Sequence, residues 1–400
     1  MLKQKNTRSI KEDKNLNKTQ IYFDNAATTK ISDRVYEAIL PYIKESYGNP
    51  SALYSLGREA SAALRNARLL CSKALSCEQN EIFFTSGGTE SDNWAIKAVA
   101  ESMSGQGKKR IITTAFEHHA VLNTLKELAK KGFEIIYLPV YENGIVRIED
   151  LEKAIIDTTA LVTVMYVNNE IGTVQPVSEI GRLCRERNVI FHTDAVQAAP
   201  HIKIDVEKDN IDLLSISGHK LHAPKGAGLL YCRRGIELSS FIKGGKQERG
   251  LRAGTENIPA IVGLGEALTE ISENREESNI KLAALSKKIT CAAEKITGVH
   301  FNGDRTKRIP SILNFSFEDI EGESLVLQLD LKGIACSSGS ACTSGNNEPS
   351  HALKSIGQSA ELARGSLRIS LSRYNTAGEA EYFAQVLTDI IKKLRAMRNS

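Results

Sequence analysis

The sequence is poor in tryptophan and methionine, with one and four among 400 residues, and it has no long apolar run. No stretch reaches the roughly 18 apolar residues of a membrane span, so a helical membrane protein is excluded. Internal repeats and low-complexity tracts are absent. The seven cysteines (Cys71, Cys77, Cys184, Cys232, Cys291, Cys336, Cys342) are odd in number and irregular in spacing. They suggest no disulfide framework, and a reducing, cytoplasmic compartment is expected. Charge of one sign is also lacking, with 52 basic against 48 acidic side chains. The first 20 residues hold six basic and two acidic side chains, and so carry the whole excess of +4. The remainder is balanced, and direct nucleic-acid binding has no support in bulk charge. Residues 1–20 have no apolar core and no small-residue cleavage pattern. They are expected to form a disordered basic tail, not a secretory leader or transit peptide.

What is present is an ordinary globular composition, 41% hydrophobic and 25% charged. The length predicts two domains. From Ile21 to about residue 235, apolar strand-like runs alternate with helical stretches. Strands are predicted over 81–85, 110–115, 134–140, 161–167, 189–193, 213–217 and 228–231. Helices are predicted over 120–131 and 177–187, among others. This alternation predicts an α/β fold with a mainly parallel central sheet covered by helices. Ligands of such sheets bind beyond the carboxyl ends of the strands. After about residue 260 the pattern changes to a long helical stretch over 264–297, short strands at 311–317 and 366–371, and a last amphipathic helix. A large domain over 21–262, its N-terminal segment packed on the smaller one, and a small α+β domain over 263–400 are therefore expected. The small domain carries a Gly/Ser-rich loop, 336–347 (CSSGSACTSGNN), which is expected to be mobile.

Several strand ends carry polar groups suited to chemistry. Ser217-Gly218-His219-Lys220 follows a predicted strand, and a lysine amine there can form a Schiff base with a carbonyl compound or with pyridoxal phosphate. Taken alone it could equally be a surface lysine at a turn. Thr85–Glu90 (TSGGTE) joins a strand to a helix, where free N–H groups suit a phosphate. It is neither a Walker loop nor a dinucleotide fingerprint, and alone it could be a plain turn. Asp194 ends another strand and needs a partner: a protonated pyridine nitrogen, an arginine or a metal, unless it merely caps a helix. Glu117-His118-His119 follows a fourth strand. Adjacent histidines do not face one another on a helix, so no metal is expected, and stacking on a flat cofactor is the better role for an imidazole.

Together with YFDNAATT (22–29), NPSALYSLG (49–57), TSGGTESDN (85–93), EHHAV (117–121), VNNEIGTVQP (167–176), HTDAVQ (192–197), SGHKLHAPKG (217–226), GGKQERGLRAGTEN (244–257) and CSSGSACTSG (336–345), these segments resemble a cysteine desulfurase of the NifS/IscS type. The likeness covers about residues 21–398. It implies the aspartate-aminotransferase fold (fold type I) and pyridoxal 5′-phosphate as cofactor. It implies that Lys220 holds the cofactor and then moves protons, that Asp194 pairs with the ring nitrogen, and that Gln197 bonds the phenolic oxygen. His118 would stack on the ring and serve as a catalytic proton-transfer group, while Gly88, Thr89, Ser217 and His219 would take the phosphate. Thr255 would reach the phosphate across a homodimer interface. Arg368 would grip the substrate carboxylate with help from Asn169, although alone it could be a surface ion pair. Cys342 would be the nucleophile that takes sulfur from L-cysteine as a persulfide, leaving L-alanine, and Cys336 is expected to be structural. The sulfur would pass to an acceptor protein, an iron–sulfur scaffold or a thiolation enzyme, and the sequence does not choose between them. A small-substrate aminotransferase and selenocysteine lyase activity are the alternatives. Lys220, Asp194 and Arg368 also serve the aminotransferase, which has no need of Cys342.

Overall fold

The computed structural model describes residues 20–339 and 348–398. The tail up to residue 19 and the stretch 340–347, with Cys342, lie outside the described residues. The strands are β1 (Ile21–Tyr22), β2 (Ile82–Thr85), β3 (Arg110–Thr114), β4 (Glu134–Leu138), β5 (Thr159–Thr163), β6 (Ile190–Asp194), β7 (Leu213–Ser217), β8 (Gly228–Cys232), β9 (Val299–Phe301), β10 (Ile312–Phe317), β11 (Ile334–Ala335) and β12 (Ser366–Ser370). The helices are α1 (Asp33–Lys44), α2 (Ser55–Leu75), α3 (Gly88–Ser104), α4 (His119–Lys130), α5 (Ile148–Ala154), α6 (Val177–Glu186), α7 (Ile258–Ala293), α8 (Gly322–Asp330), α9 (His351–Ser355), α10 (Ala360–Arg364) and α11 (Ala377–Arg398).

Seven strands form the central sheet in the order β2-β8-β7-β6-β5-β3-β4. From β7 to β4 all neighbours are parallel. β8 runs antiparallel to both β7 and β2. The short β7–β8 connection has no crossover helix, so the chain turns straight back, as antiparallel neighbours allow. Alternate residues of each strand feed different cores, as a period of two requires. Phe83, Ile111, Leu161, Leu213 and Leu230 pack on one face with Trp94 of α3 and Val121 of α4. Phe84, Ile112, Val162, Leu214 and Leu229 pack on the other with α2, α6 and the first half of α7. Burial on both faces explains why these strands read as continuous apolar runs.

A second core surrounds the antiparallel sheet β12-β10-β9. Leu313, Phe315, Leu367 and Ile369 meet Leu325 of α8 and Phe383 and Leu387 of α11 there. β1 joins this second body by pairing with β11, and Phe23 packs edge-on against Phe383, with ring centroids 5.7 Å apart. α7 is N-capped by Asn257, whose side chain accepts from the Ala260 N–H, with proline in the first turn. Its first half contributes Ile261, Leu264 and Leu268 to the large core, and its second half Leu282, Leu285 and Ile289 to the small one. The boundary expected at residue 262 falls within this continuous helix.

Candidate active site

The carboxyl ends of the central strands open into a cleft of about 580 Å³. Its walls include Gly88, Thr89, His118, Asn169, Asp194, Gln197, Ser217, His219, Lys220 and Arg368. Residues from five of the quoted motifs, together with Arg368, thus converge on one space. Thr255 does not belong to it; it is exposed on the single chain.

At one end of the cleft, β2 turns into α3 through Ser86 and Gly87. Gly87 has φ 156° and ψ −179°, a backbone region that is essentially glycine's alone. The turn is held by Glu90, which accepts from the Ser86 N–H at 2.8 Å and pairs with Arg252 at 2.8 Å. Burial works against the Glu90 charge, but the bonds from Arg252 and Ser86 outweigh it and hold the carboxyl below its usual range. The Ser217 hydroxyl lies 3.6 Å from where a Gly87 Cβ would stand. The His219 imidazole meets the Thr28 hydroxyl at 3.2 Å.

At the centre, Lys220 ends a short 3-10 turn directly after β7. Its Nζ donates to the carbonyls of Ala26 and, at 2.6 Å, Ala27. Asp194 ends β6 and is 6% exposed. One of its oxygens accepts from the Val196 N–H at 2.9 Å, so it does cap the following turn. That bond leaves its charge uncompensated: burial pushes its carboxyl up to about 6, against the effects of Val196 and Lys220. Gln197 donates to the Ala26 carbonyl at 3.0 Å. His118 is the N-cap of α4, where its Nδ1 accepts from the Ala120 N–H at 3.1 Å. Burial first, then Lys220 and the neighbouring histidines, lower it to about 4. The ring is therefore neutral, with its proton on Nε2.

At the far end sits Arg368, on β12 and only 3% exposed. Its Nη2 pairs with Asp24 at 2.8 Å and its Nη1 donates to the Asn169 carbonyl at 3.2 Å. Its Nε is buried with no acceptor. The alternative of a surface ion pair is thereby corrected: β12 alternation puts Leu367 and Ile369 into the small core, and Arg368 turns the other way, into the cleft.

The described residues on either side of 340–347 are fixed by hydrogen bonds. Upstream, Ser337 and Arg368 exchange backbone hydrogen bonds at 3.2 and 2.7 Å, and the Gly339 N–H donates to the Ser366 hydroxyl at 3.1 Å. Downstream, Ser350 donates to Glu170, and His351 contacts the Glu117 carbonyl at 2.9 Å. Cys336 is buried, and burial pushes its thiol up to about 12, as an inert structural cysteine requires.

Several polar residues here went unremarked in the sequence. Asp24 pairs with Arg368. Asp92, one turn into α3, is fully buried with Oδ1 unbonded, and its carboxyl is pushed well above the usual range by burial and then by Asp194. Glu117 accepts from the Thr114 hydroxyl at 2.6 Å and the Met165 N–H at 3.0 Å, and burial raises it to about 8. Their only signal was their position inside the quoted motifs.

The donor set fits pyridoxal phosphate. A buried, under-compensated carboxylate suits a protonated ring nitrogen, an amide suits a phenolic oxygen, and N–H and hydroxyl groups at the start of α3 suit a dianion. No group of His, Cys, Asp and Glu able to hold a metal occurs among the described residues.

Fold and cleft together define a pyridoxal-phosphate enzyme of fold type I. The class-V aminotransferase family matches residues 21–383. Cysteine desulfurase IscS of Clostridium botulinum (strain Hall) is 51% identical over 381 residues, covering 94% of this chain and 96% of its own. That of Methanosarcina thermophila is 50% identical over 377 residues, covering 94% and 93%. Among solved structures, a NifS-like protein superposes with TM-score 0.88 at 39% identity, covering 94% of this chain and 100% of its own. SspA in complex with cysteine superposes at 0.79 and 37%, covering 89% and 100%. The chain belongs to the class-V aminotransferases and, within them, to the cysteine desulfurases of the NifS/IscS type. Members of this family use pyridoxal phosphate.

Proposed function

We propose that the protein removes sulfur from L-cysteine, releasing L-alanine and leaving a persulfide on Cys342 that passes to an iron–sulfur scaffold. The observation that carries this reading is the convergence of Lys220, Asp194, His118 and buried Arg368 on one cleft, with Ser337, next to Cys336, bonded to Arg368. An electron sink at the substrate Cα is what bound pyridoxal phosphate supplies. The rest falls to the chain. Arg368 Nε, with Asn169, orients the substrate carboxylate. With the cofactor bound, Lys220 would hold it and its Nζ would carry the proton of the substrate Cα. Asp194 would face the ring nitrogen. The neutral His118 would lie against the ring and offer its Nε2 proton to the substrate. Gln197 would bond the phenolic oxygen, and Gly88, Thr89, Ser217 and His219 would hold the phosphate. The Cys342 thiolate attacks the substrate sulfur; the S–S bond forms as the Cβ–S bond breaks, and its electron pair stays with the carbon fragment.

The exposed position of Thr255 supports a homodimer in which each copy completes the other's phosphate site. The division into a cofactor domain (21–262) and a small domain carrying the cysteine loop (263–400) is supported in outline by the large and small hydrophobic cores, with α7 running through the boundary and contributing Leu264 and Leu268 to the large one. The IscS name of the relatives favours iron–sulfur assembly over thiolation. No helix among the described residues is long and apolar enough to cross a membrane.

The test is to incubate the holoenzyme with L-cysteine and dithiothreitol and to assay both products. Alanine and sulfide in equal amounts, both abolished in C342A, are expected. Neither product from a cofactor-loaded protein would overturn the reading in favour of transamination.

A further inference from the structure

A second, smaller cavity of about 50 Å³ adjoins the cleft. Lys220, Gln197 and Ala26 line both spaces and form the partition between them. One water needs roughly 10–15 Å³ of such space, so the cavity can hold a halide-sized ion with a water or two, but not an amino acid.

Its walls are rich in donors and cations. No aspartate or glutamate lines it. Arg275 of α7 is half-buried against it. Among the described residues no carboxylate reaches ion-pair distance of its guanidinium, and its buried Nε has no acceptor. Among the described residues its one hydrogen bond is a long one, Nη2 to the Ser272 hydroxyl at 3.5 Å. Arg373, in the same wall, is already neutralised by Glu270 at 2.7 Å. His201 is tied to Asn279 at 3.0 Å and Ser311 at 2.7 Å. His222 is tied to the Lys30 carbonyl at 2.8 Å. Both imidazoles are lowered to about 4, chiefly by burial, with Arg275 adding to the effect at His201 and Arg373 at His222. The space is thus bounded by the Arg275 guanidinium, which no carboxylate among the described residues compensates, by two neutral imidazoles and by the hydroxyls of Ser278 and Ser372, and no carboxylate lines it. Withdrawing a guanidinium from water without a counter-charge is costly.

We propose that this cavity binds a small monovalent inorganic anion of chloride size, held by Arg275 and the rotatable hydroxyls of Ser278 and Ser372. The anion sits across the partition from the cleft and favours positive charge on Lys220 Nζ. It is distinct from the substrate carboxylate at Arg368, and the site does not depend on the cleft's chemistry being desulfuration.

Crystals of the holoenzyme grown in sodium bromide, measured at the bromine absorption edge, should show an anomalous peak at Arg275 Nε. R275Q crystals should lose that peak. If R275Q fails to fold, S278V, which fills the cavity from the same helix, should lose it too. In solution, exchanging gluconate for bromide at equal ionic strength should raise the unfolding midpoint of the wild type by about 2 °C at ten times the Kd, and leave that of the variant unchanged. Ordered waters without bromide in the wild-type cavity would overturn the proposal. So would a peak that survives R275Q or S278V, or a midpoint indifferent to the anion.

Discussion

Arg368 shows what a single position owes to its neighbours. Its charge is taken out of water, and Asp24 compensates it at 2.8 Å while the Asn169 carbonyl takes another N–H. A planar fork can keep both partners and still present Nε to a third oxygen; an ammonium cannot hold that geometry. Arg368→Lys should therefore keep the charge and lose the grip. Since a hydrogen bond to a charged group contributes about 1.5–3 kcal/mol, KM for L-cysteine should rise at least about tenfold, with kcat changing less. Steady-state kinetics on the cofactor-saturated variant would check this; an unchanged KM would remove Arg368 from substrate binding. The residue itself was legible only through the family resemblance, since alone it reads as a surface ion pair. Its partner was not: Asp24 lies 344 positions away, and it is the pairing of residues 23–25 with Ser370 of β12, next to the β1–β11 pair, that brings the two together. Asp92 and Glu117 were hidden for a related reason, since a buried carboxylate reads in sequence like any exposed one.

At the scale of elements, the central strands were legible because burial on both faces writes an unbroken apolar run. α2 was not singled out, because it packs with small residues: Ala60, Ala63, Ala67 and Cys71 face inward, and Gly265 of α7 comes so close that a Cβ there would stand 3.0 Å from Ala67 Cα. A reading based on hydrophobic bulk passes over such a helix. The reversed direction of β8 left no mark in composition either. What fastens β2 to the following layer is a buried ion pair. Glu248 takes Arg68 at 2.6 Å and the Phe84 N–H at 3.0 Å, with the two side chains only 3% and 13% exposed. Arg68→Met would leave the Glu248 carboxylate buried without its cation, and removing one partner of such a pair costs about 3–5 kcal/mol. A lower urea midpoint with an unchanged slope is the expected result. A loss below about 1 kcal/mol would mean that water reaches Glu248.

The whole molecule stores protonation states that pull in opposite directions. Burial holds His201 and His222 at about 4 and His192 at about 3. Unfolded, each binds a proton near 6.5, so folding loses stability as pH falls from 6.5 towards 4. Glu170 and Glu117 are raised by burial to about 7 and about 8. The folded chain keeps protons that the unfolded chain gives up near 4.5, so stability falls as pH climbs from there towards 8. Below 6.5 the histidines outnumber the carboxylates, and above it only the carboxylates act. The unfolding midpoint of the cofactor-free protein should therefore peak near about pH 6.5; a plateau extending to pH 9 would mean that Glu117 and Glu170 ionise freely in the fold. The same scale decides how the cleft is completed. Tyr36, Leu40, Ile43, Tyr47, Leu53 and Tyr54 stand exposed along α1 and the connection that leads into α2, with Leu53 90% and Tyr47 73% accessible. A monomer rarely leaves so many apolar side chains of one segment in water, and a second copy would cover them while bringing its Thr255 to the phosphate end. Ile43→Asp with Leu53→Asp should then halve the mass found by light scattering and weaken retention of pyridoxal phosphate together. A monomer that holds its cofactor as tightly as the wild type would separate the two, and Thr255 would lose its place at the phosphate.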